Sequence, residues 1–268
     1  MNTIDTSGFL LQVCSDIHLE RNDLSETDFP NILNPFTFAE VLVLAGDIGD
    51  PFSELYQKFI LYCSIHFKQV LLITGNHEYY GYVMNKVDEK ITEICKQYNN
   101  VCFLHKTTFQ YQDICFIGAT LWSKLSYDLN EDEYIYNMCD FQQISIKNPY
   151  SNKDNLMHPS DYMLLHKNCL DFIQNSLNSN TKCIVITHHA PSYQCIEEKF
   201  HGDKFNSCFA SNLDYILGHE HLIGWIYGHL HNNCKELNEK ILYSNCYRTH
   251  NYVNNDTILI NTILNHSC

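Results

Sequence analysis

Val41-Leu42-Val43-Leu44-Ala45-Gly46-Asp47-Ile48-Gly49-Asp50 and Val70-Leu71-Leu72-Ile73-Thr74-Gly75-Asn76-His77-Glu78 share one grammar: a short β-prone run, a glycine, then carboxylate, carboxamide or imidazole side chains. Apolar runs this short, bounded by glycine, read as strands buried on both faces, as in a sheet covered by helices. Helical periodicity follows each run. Asp50 reads as an N-cap with Pro51 at the first helical position, and Phe52, Leu55, Tyr56, Phe59, Ile60 and Cys63 then recur at spacings of three and four. Val87, Ile91, Ile94 and Cys95 repeat that pattern after the second run. Strand, loop and helix in alternation predict an α/β domain.

Working outward, residues 10–14, 101–104, 114–118, 183–187, 223–227, 241–244 and 257–260 read as further strands. Tyr162, Leu165, Cys169, Phe172, Ile173 and Leu177 give a long helix ahead of 183–187. Residues 123–159 are polar, tyrosine-rich and weakly periodic, and read as an insertion or lid. No internal repeat is visible, so residues 1–268 are assigned to one domain.

Composition limits the function classes. The 268 residues are 45% hydrophobic and 18% charged, which excludes disordered and collagen-like architectures. No apolar run approaches the roughly 20 residues a spanning helix needs. Residues 1–8 lack a basic patch followed by an apolar run, so the expected compartment is the cytoplasm, with no membrane partner. Seventeen Lys and Arg against 31 Asp and Glu leave a net charge of −14, which repels a nucleic-acid duplex. Bound divalent cations can still reverse the field inside a cleft and admit a phosphate ester. The 13 cysteines are odd in number and form no Cys-x-x-Cys, so they read as reduced, mostly buried thiols.

The chemistry-bearing residues gather past the carboxyl ends of these strands, where open α/β sheets place ligands. Asp16 and His18 follow the first strand, Asp47 and Asp50 the second, Asn76, His77 and Glu78 the third, His188 and His189 the strand at 183–187, and His229 and His231 the strand at 223–227. Alternate residues of an extended strand end face the same way, so Asp16 with His18, and His229 with His231, are each expected to present two donors to one cavity. Carboxylate oxygen mixed with imidazole nitrogen, and no thiolate, favours manganese, iron, zinc, cobalt or nickel over copper(I) or iron–sulfur chemistry.

Asp-x-His, Gly-Asp-x-x-Asp, Gly-Asn-His-Glu, His-x-Pro and Gly-His-x-His, in that order from Asp16 to His231, resemble the calcineurin-like metallophosphoesterase superfamily. Gly118-Ala119-Thr120-Leu121-Trp122 and Asp140-Phe141 resemble a small single-domain branch of it. The resemblance implies a four-layer αββα sandwich of two mixed β-sheets flanked by helices. It implies two divalent ions, manganese foremost, with iron, zinc, nickel, cobalt or magnesium as alternatives. Asp16, His18 and His231 would hold the first, Asp47 would bridge, and Asn76, His188 and His229 would hold the second. A hydroxide between the ions would attack phosphorus, and His77 would protonate the leaving oxygen, oriented by Asp50. Departures narrow the branch. Pro51 and Thr74 stand where protein serine/threonine phosphatases carry arginine, and Glu78 stands where a nuclease branch has aspartate, so neither activity is expected.

Several residues have plainer readings. Gly218-His219-Glu220-His221 repeats the last motif but follows the helical pattern Leu213, Tyr215, Ile216, Leu217, so Gly218 reads as a helix C-cap and the downstream copy as the ligand pair. His189 must face away from its neighbour His188 or meet substrate. His66, His105, His158, His166, His201, His250 and His266 read as surface or satisfied core histidines, and Tyr79-Tyr80 as packing under the next helix, with lining the pocket as the alternative. Arg248 is a candidate phosphate partner, with a solvated arginine as the commoner outcome. The expected function is a metal-dependent phosphoesterase of a small substrate, with phosphodiesters first. Phosphomonoesters, pyrophosphates and a catalytically silent metal-binding scaffold are the alternatives.

Overall fold

A computed structural model describes residues 9–21, 23–33, 39–148, 154–234, 242–247 and 257–259. Arg248, His250 and His266 lie outside the described residues.

Two sheets of mixed direction form the centre. The first has the strand order Thr257–Leu259, Leu10–Cys14, Val41–Ala45, Gln69–Ile73 and Val101–Phe103, with only the outer Thr257–Leu259 antiparallel to its neighbour. The second runs Asn233–Cys234, Leu242–Asn245, Leu222–Ile226, Cys183–Ile186, Ile114–Gly118 and Thr107–Tyr111, parallel inside and antiparallel at both edges. The period-two alternation of a strand divides their side chains between two layers. Leu11, Val13, Val41, Val43, Leu71 and Ile73 meet Phe116, Ile184, Ile186 and Ile226 in one apolar cluster between the sheets. Leu42, Leu44, Leu72, Ile117, Val185 and Trp225 join helix residues in a second cluster. Helices Glu54–His66 and Met84–Cys95 contribute Tyr56, Phe59, Ile60, Val87, Ile91 and Ile94 to it, and Pro159–Ser179 contributes Tyr162, Ile173 and Leu177. Truncating any of these leucines or isoleucines to alanine costs about 2–5 kcal/mol.

One expectation is corrected locally. The helix after Asp50 begins at Glu54, because Ser53 is the N-cap and its Oγ accepts from Tyr56 N at 3.1 Å. Asp50 and Pro51 instead form a turn, in which Asp50 Oδ1 accepts from Phe52 N at 2.9 Å. Strand Thr107–Tyr111 went unread because it is a sheet edge with exposed polar positions, not a buried apolar run. Residues 123–159 contain helices Glu131–Asn137 and Cys139–Gln143 and the short pair Ser145–Ile146 with Asn155–Leu156, with Tyr134, Phe141, Ile144 and Met157 buried.

The parallel strands bring their carboxyl ends to one edge, where the two sheets meet. Ser15 N donates to Asn245 O at 3.2 Å, across the sheets. Gly228 N donates to His188 O at 2.9 Å, and Asp16 N to Gly46 O at 3.0 Å, tying the strand-end loops together. Among the described residues no helix is long and apolar enough to cross a membrane. The cysteines whose side chains are described are free thiols, and among them only Cys102 and Cys139 escape full burial.

Candidate metal centre

The polar successors of four strands converge in two groups. Asp16, His18 and His231 bring one ligand atom each within 4.8 Å of one another, and so do Asp47, His188 and His229. Extended-strand alternation does not produce this arrangement. Asp16, His18 and Asp47 have φ of 54°, His229 of 68° and His231 of 50°, the left-handed region that non-glycine residues rarely enter. His229 and His231 thereby fall in different groups while both line one cavity, as expected.

The donor atoms face one another with too few protons between them. Asp16 Oδ1 lies 3.3 Å from His231 Nε2, which lies 3.2 Å from His18 Nε2. Asp47 Oδ2 is 3.2 Å from His188 Nε2 and 3.8 Å from His18 Nε2, so it stands between the groups. His188 Nδ1 is 2.9 Å from the Ala45 carbonyl, which can only accept, so that nitrogen carries the hydrogen. Its Nε2 then presents a lone pair to Asp47 Oδ2 and, at 3.2 Å, to Asn76 Oδ1, both acceptors. Only a proton or a cation reconciles that geometry. His229 Nε2 is shielded from solvent with no hydrogen-bond partner, and a Cβ on Gly75 would lie 2.7 Å from His188 Cε1, so glycine is required for this approach. These features fit divalent ions held by oxygen and imidazole ligands.

Charge in the metal-free chain follows the same logic. Burial opposes the charged form of His188, but Asp47 overrides it and pushes the imidazole up to about 10. Burial would raise the Asp47 and Asp16 carboxyls, yet facing histidines, His188 for Asp47 and His231 for Asp16, hold both well below the usual range. Burial and the nearby His188 charge push His229 down to about 3.

A surrounding layer of residues fixes the ligands. Glu78 accepts from Asp47 N at 3.1 Å, Ile48 N at 2.7 Å and Gly75 N at 2.7 Å, clamping two strand-end loops. Asp140 Oδ1 accepts from Asn76 Nδ2 at 2.8 Å and Tyr80 OH at 2.7 Å, which turns the Asn76 oxygen toward His188. His189 packs behind His229 at 4.2 Å between ring centroids, and its Nε2 is 3.2 Å from Tyr162 OH.

His77 joins neither of these two groups but lies in a third with His18 and Glu20. Its backbone N donates to Asp47 Oδ1 at 2.9 Å, and its ring stacks on Tyr80 at 4.3 Å. Burial lowers the imidazole, but the Asp47 charge and Glu20 outweigh that and raise it above its ordinary value. The carboxylate expected at His77 is displaced. Asp50 accepts instead from Phe52 N and, at 3.1 Å, from Tyr82 OH, because its turn directs the side chain away. Glu20 Oε1 faces His77 Nδ1 at 3.4 Å and His18 Nδ1 at 2.8 Å. Burial would raise Glu20, and hydrogen bonds from His18 and then His77 carry it down to about 2. Sequence reading missed Glu20, which the 3₁₀ turn Leu19–Arg21 brings to the histidines. Tyr79 is buried packing as expected, whereas Tyr80 lines the cavity.

His219 and His221 join neither group. His219 Nε2 pairs with Asn178 Oδ1 at 3.2 Å and His221 Nδ1 with Leu177 O at 2.9 Å. His66, His105, His158, His166 and His201 are likewise outside both groups. A cavity of about 710 Å³ opens from Asp47, Asn76, His77, His229 and His231 toward Met138, Phe205 and Phe209.

Comparison with known proteins places these groups in context. The family profile of calcineurin-like phosphoesterases matches residues 11–233. An uncharacterized protein of Acanthamoeba polyphaga mimivirus is 28% identical over 287 residues, covering 95% of this chain and 99% of its own. The crystal structure of phosphopantetheinyl hydrolase from Mycobacterium tuberculosis superposes with a TM-score of 0.67 at 13% identity, covering 89% of each chain. That last likeness concerns the fold.

Proposed function

The chain belongs to the calcineurin-like phosphoesterase family, and on that premise we propose that it is a two-metal phosphodiesterase acting on a small substrate. The observation that carries this reading is the pair of three-residue donor groups joined by Asp47, with His77 facing the same cavity. Asp16, His18 and His231 would hold one ion, Asn76, His188 and His229 the other, and Asp47 both. Divalent ions held there would supply Lewis acidity to phosphoryl oxygens and lower the pKa of water, and the mixed oxygen and imidazole donors suit manganese, iron, zinc, cobalt or nickel.

The remaining work falls to the chain. Asp47 Oδ1 holds the backbone of His77, and Glu20 sustains the proton on the His77 imidazole, which is raised above its ordinary value. His77 thus has a proton to give to a leaving oxygen. Tyr80, stacked on the ring and anchored by Asp140, limits its rotation. Diesters are favoured over monoesters because they bring one negative charge rather than two into a cavity whose described wall includes Glu197 and Asp203.

The test is hydrolysis of bis(p-nitrophenyl) phosphate and p-nitrophenyl phosphate by metal-stripped protein resupplied with manganese, zinc, nickel or magnesium, with Asp47→Asn as control. Metal-dependent turnover, higher on the diester and absent in the variant, is expected. Preference for the monoester would replace the diesterase reading. Two bound ions without turnover on either ester would leave a metal-binding scaffold.

A further inference from the structure

Beyond the metal groups, the cavity is walled by residues 193–209, and this wall has a chemistry of its own. We infer that it binds an uncharged aromatic group of the substrate, so that the ester cleaved here is that of an aryl or similarly flat, neutral alcohol. This rests on the phosphoesterase reading above.

Three features carry the inference. Phe200, Phe205, Phe209, Ile196 and Met138 line the cavity together. Phe209 lies against the His229 ring at 5.2 Å with 27° between planes, so the aromatic surface runs directly into the metal-ligand cluster. Aromatic walls recognise flat π-systems by stacking and edge contacts, which adds to the gain from apolar area alone. The volume of about 710 Å³ exceeds what a phosphate needs and falls in the range of small-molecule sites.

The wall is also built in advance. Three short 3₁₀ turns, Tyr193–Cys195, Glu198–Phe200 and Asn206–Cys208, are pinned at their sides. Asn206 Nδ2 donates to Phe200 O at 2.8 Å, Phe205 N to Asp203 Oδ1 at 2.8 Å, and Asn232 Nδ2 to Cys195 O at 2.9 Å. A preformed wall reduces the ordering cost of binding.

Charge sets what the aromatic group must lack. Glu197 and Asp203 are among the lining residues, whereas no lysine or arginine is among the described ones. Lys199 offsets Glu197 at 2.8 Å, and Asp203 also lines the cavity. A second anionic group on the substrate, such as a carboxylate or further phosphate, would meet repulsion there.

The experiment uses the manganese-loaded full chain and two readouts. Titration calorimetry compares phenylphosphonate, methylphosphonate and 4-carboxyphenylphosphonate. Competitive inhibition of bis(p-nitrophenyl) phosphate hydrolysis compares the same phenyl and methyl phosphonates, so the methyl probe carries no ring. Phenyl should outdo methyl by at least about tenfold in both, and the ring carboxylate should remove most of that gain. Phe205→Ala should cut the phenyl-to-methyl ratio to about threefold or less, and Glu197→Gln with Asp203→Asn should recover part of the carboxyphenyl affinity. Equal binding of phenyl and methyl by the wild type, no binding of either, or a preference for the carboxylate overturns the inference whatever the variants do. Phosphonate binding in the expected order without hydrolysis of any ester would instead sink the phosphoesterase reading and leave the aromatic wall standing.

Discussion

Gly218-His219-Glu220-His221 and Gly228-His229-Leu230-His231 are the same motif ten residues apart, and the structure gives them opposite surroundings. The upstream copy follows the four-residue helix Asp214–Leu217, and its imidazoles are matched by an asparagine side chain and a backbone carbonyl near the surface. The downstream copy leaves the interior strand Leu222–Ile226, and both of its histidines take left-handed backbone conformations. Its rings face carboxylates and other imidazoles, and His229 Nε2 has no partner. A donor pair becomes a ligand pair when its strand delivers it to other unmatched donors. The spacing of the motif is common to both copies and decides nothing.

The hardest test of that contrast removes one histidine from each copy. His231→Ala should lower turnover by about 10²–10³ and bound metal by about one ion per chain, since four protein donors, the shared Asp47 included, become three. His221→Ala should leave turnover within about twofold, as expected for a side chain away from the site. Metal analysis alongside steady-state rates measures both, and similar losses in the two variants would erase the distinction.

A second contrast separates Glu20 from Asp50. Glu20→Gln keeps the shape but loses the charge facing His77, so kcat should fall about 10–100-fold, in the range for a general acid. Its alkaline limb should move to lower pH as the His77 imidazole loses its carboxylate. Asp50→Asn retains the turn and should change kcat by less than about threefold. A larger loss in Asp50→Asn than in Glu20→Gln would return the orienting role to Asp50.

The downstream cluster should also couple metal to protons, and the upstream copy should not. His188 rises from an ordinary 6.5 to about 10 in the metal-free chain, so its stabilising protonation is complete below pH 6.5 and is lost as pH rises through about 10. A metal ion needs the same lone pair, so binding must release that proton. Apparent affinity should therefore strengthen by about tenfold per pH unit from about pH 7 to 9. Competition titrations against a chelator read the slope, and calorimetry in two buffers counts the proton. A flat profile would show that His188 is already neutral, and His221→Ala should leave the slope as it is.

These contrasts also show what the sequence could carry. The strands Leu10–Cys14, Val41–Ala45 and Ile114–Gly118 have the bounds read from their apolar runs, because a fully buried strand records its burial at every position. Thr107–Tyr111 hid because an edge strand shares its surface with water. The histidines and aspartates at strand ends were legible for the same reason as the strands. Glu20 and Asp140 were not assigned roles, since a 3₁₀ turn and a distant short helix bring them in and local spacing carries no trace of that approach. Asp50 is the converse case: three residues from Asp47 in sequence, it is turned by its own hydrogen bonds toward Tyr82.

The smallest expected effect probes the two glycines that open the paired motifs. A Cβ on Gly228 would lie 2.8 Å from Asp16 Oδ2, 2.9 Å from Ser15 Oγ and 3.0 Å from the Ala45 carbonyl oxygen. Two of those neighbours are held by the site and the third is backbone, so none can yield freely. Gly228→Ala should cost about 1–3 kcal/mol, the usual range for overpacking. Around Gly218 the nearest such atom is 4.0 Å away, and its φ of −81° is one any residue adopts. Gly218→Ala should therefore raise stability by about 0.4–1 kcal/mol through the unfolded chain alone. Urea midpoints at constant m-value measure both, and because the substitution is identical, the opposite signs would isolate what the surroundings of each motif demand of it. A loss of stability at Gly218 comparable to that at Gly228 would mean the upstream copy is as tightly enclosed as the ligand pair.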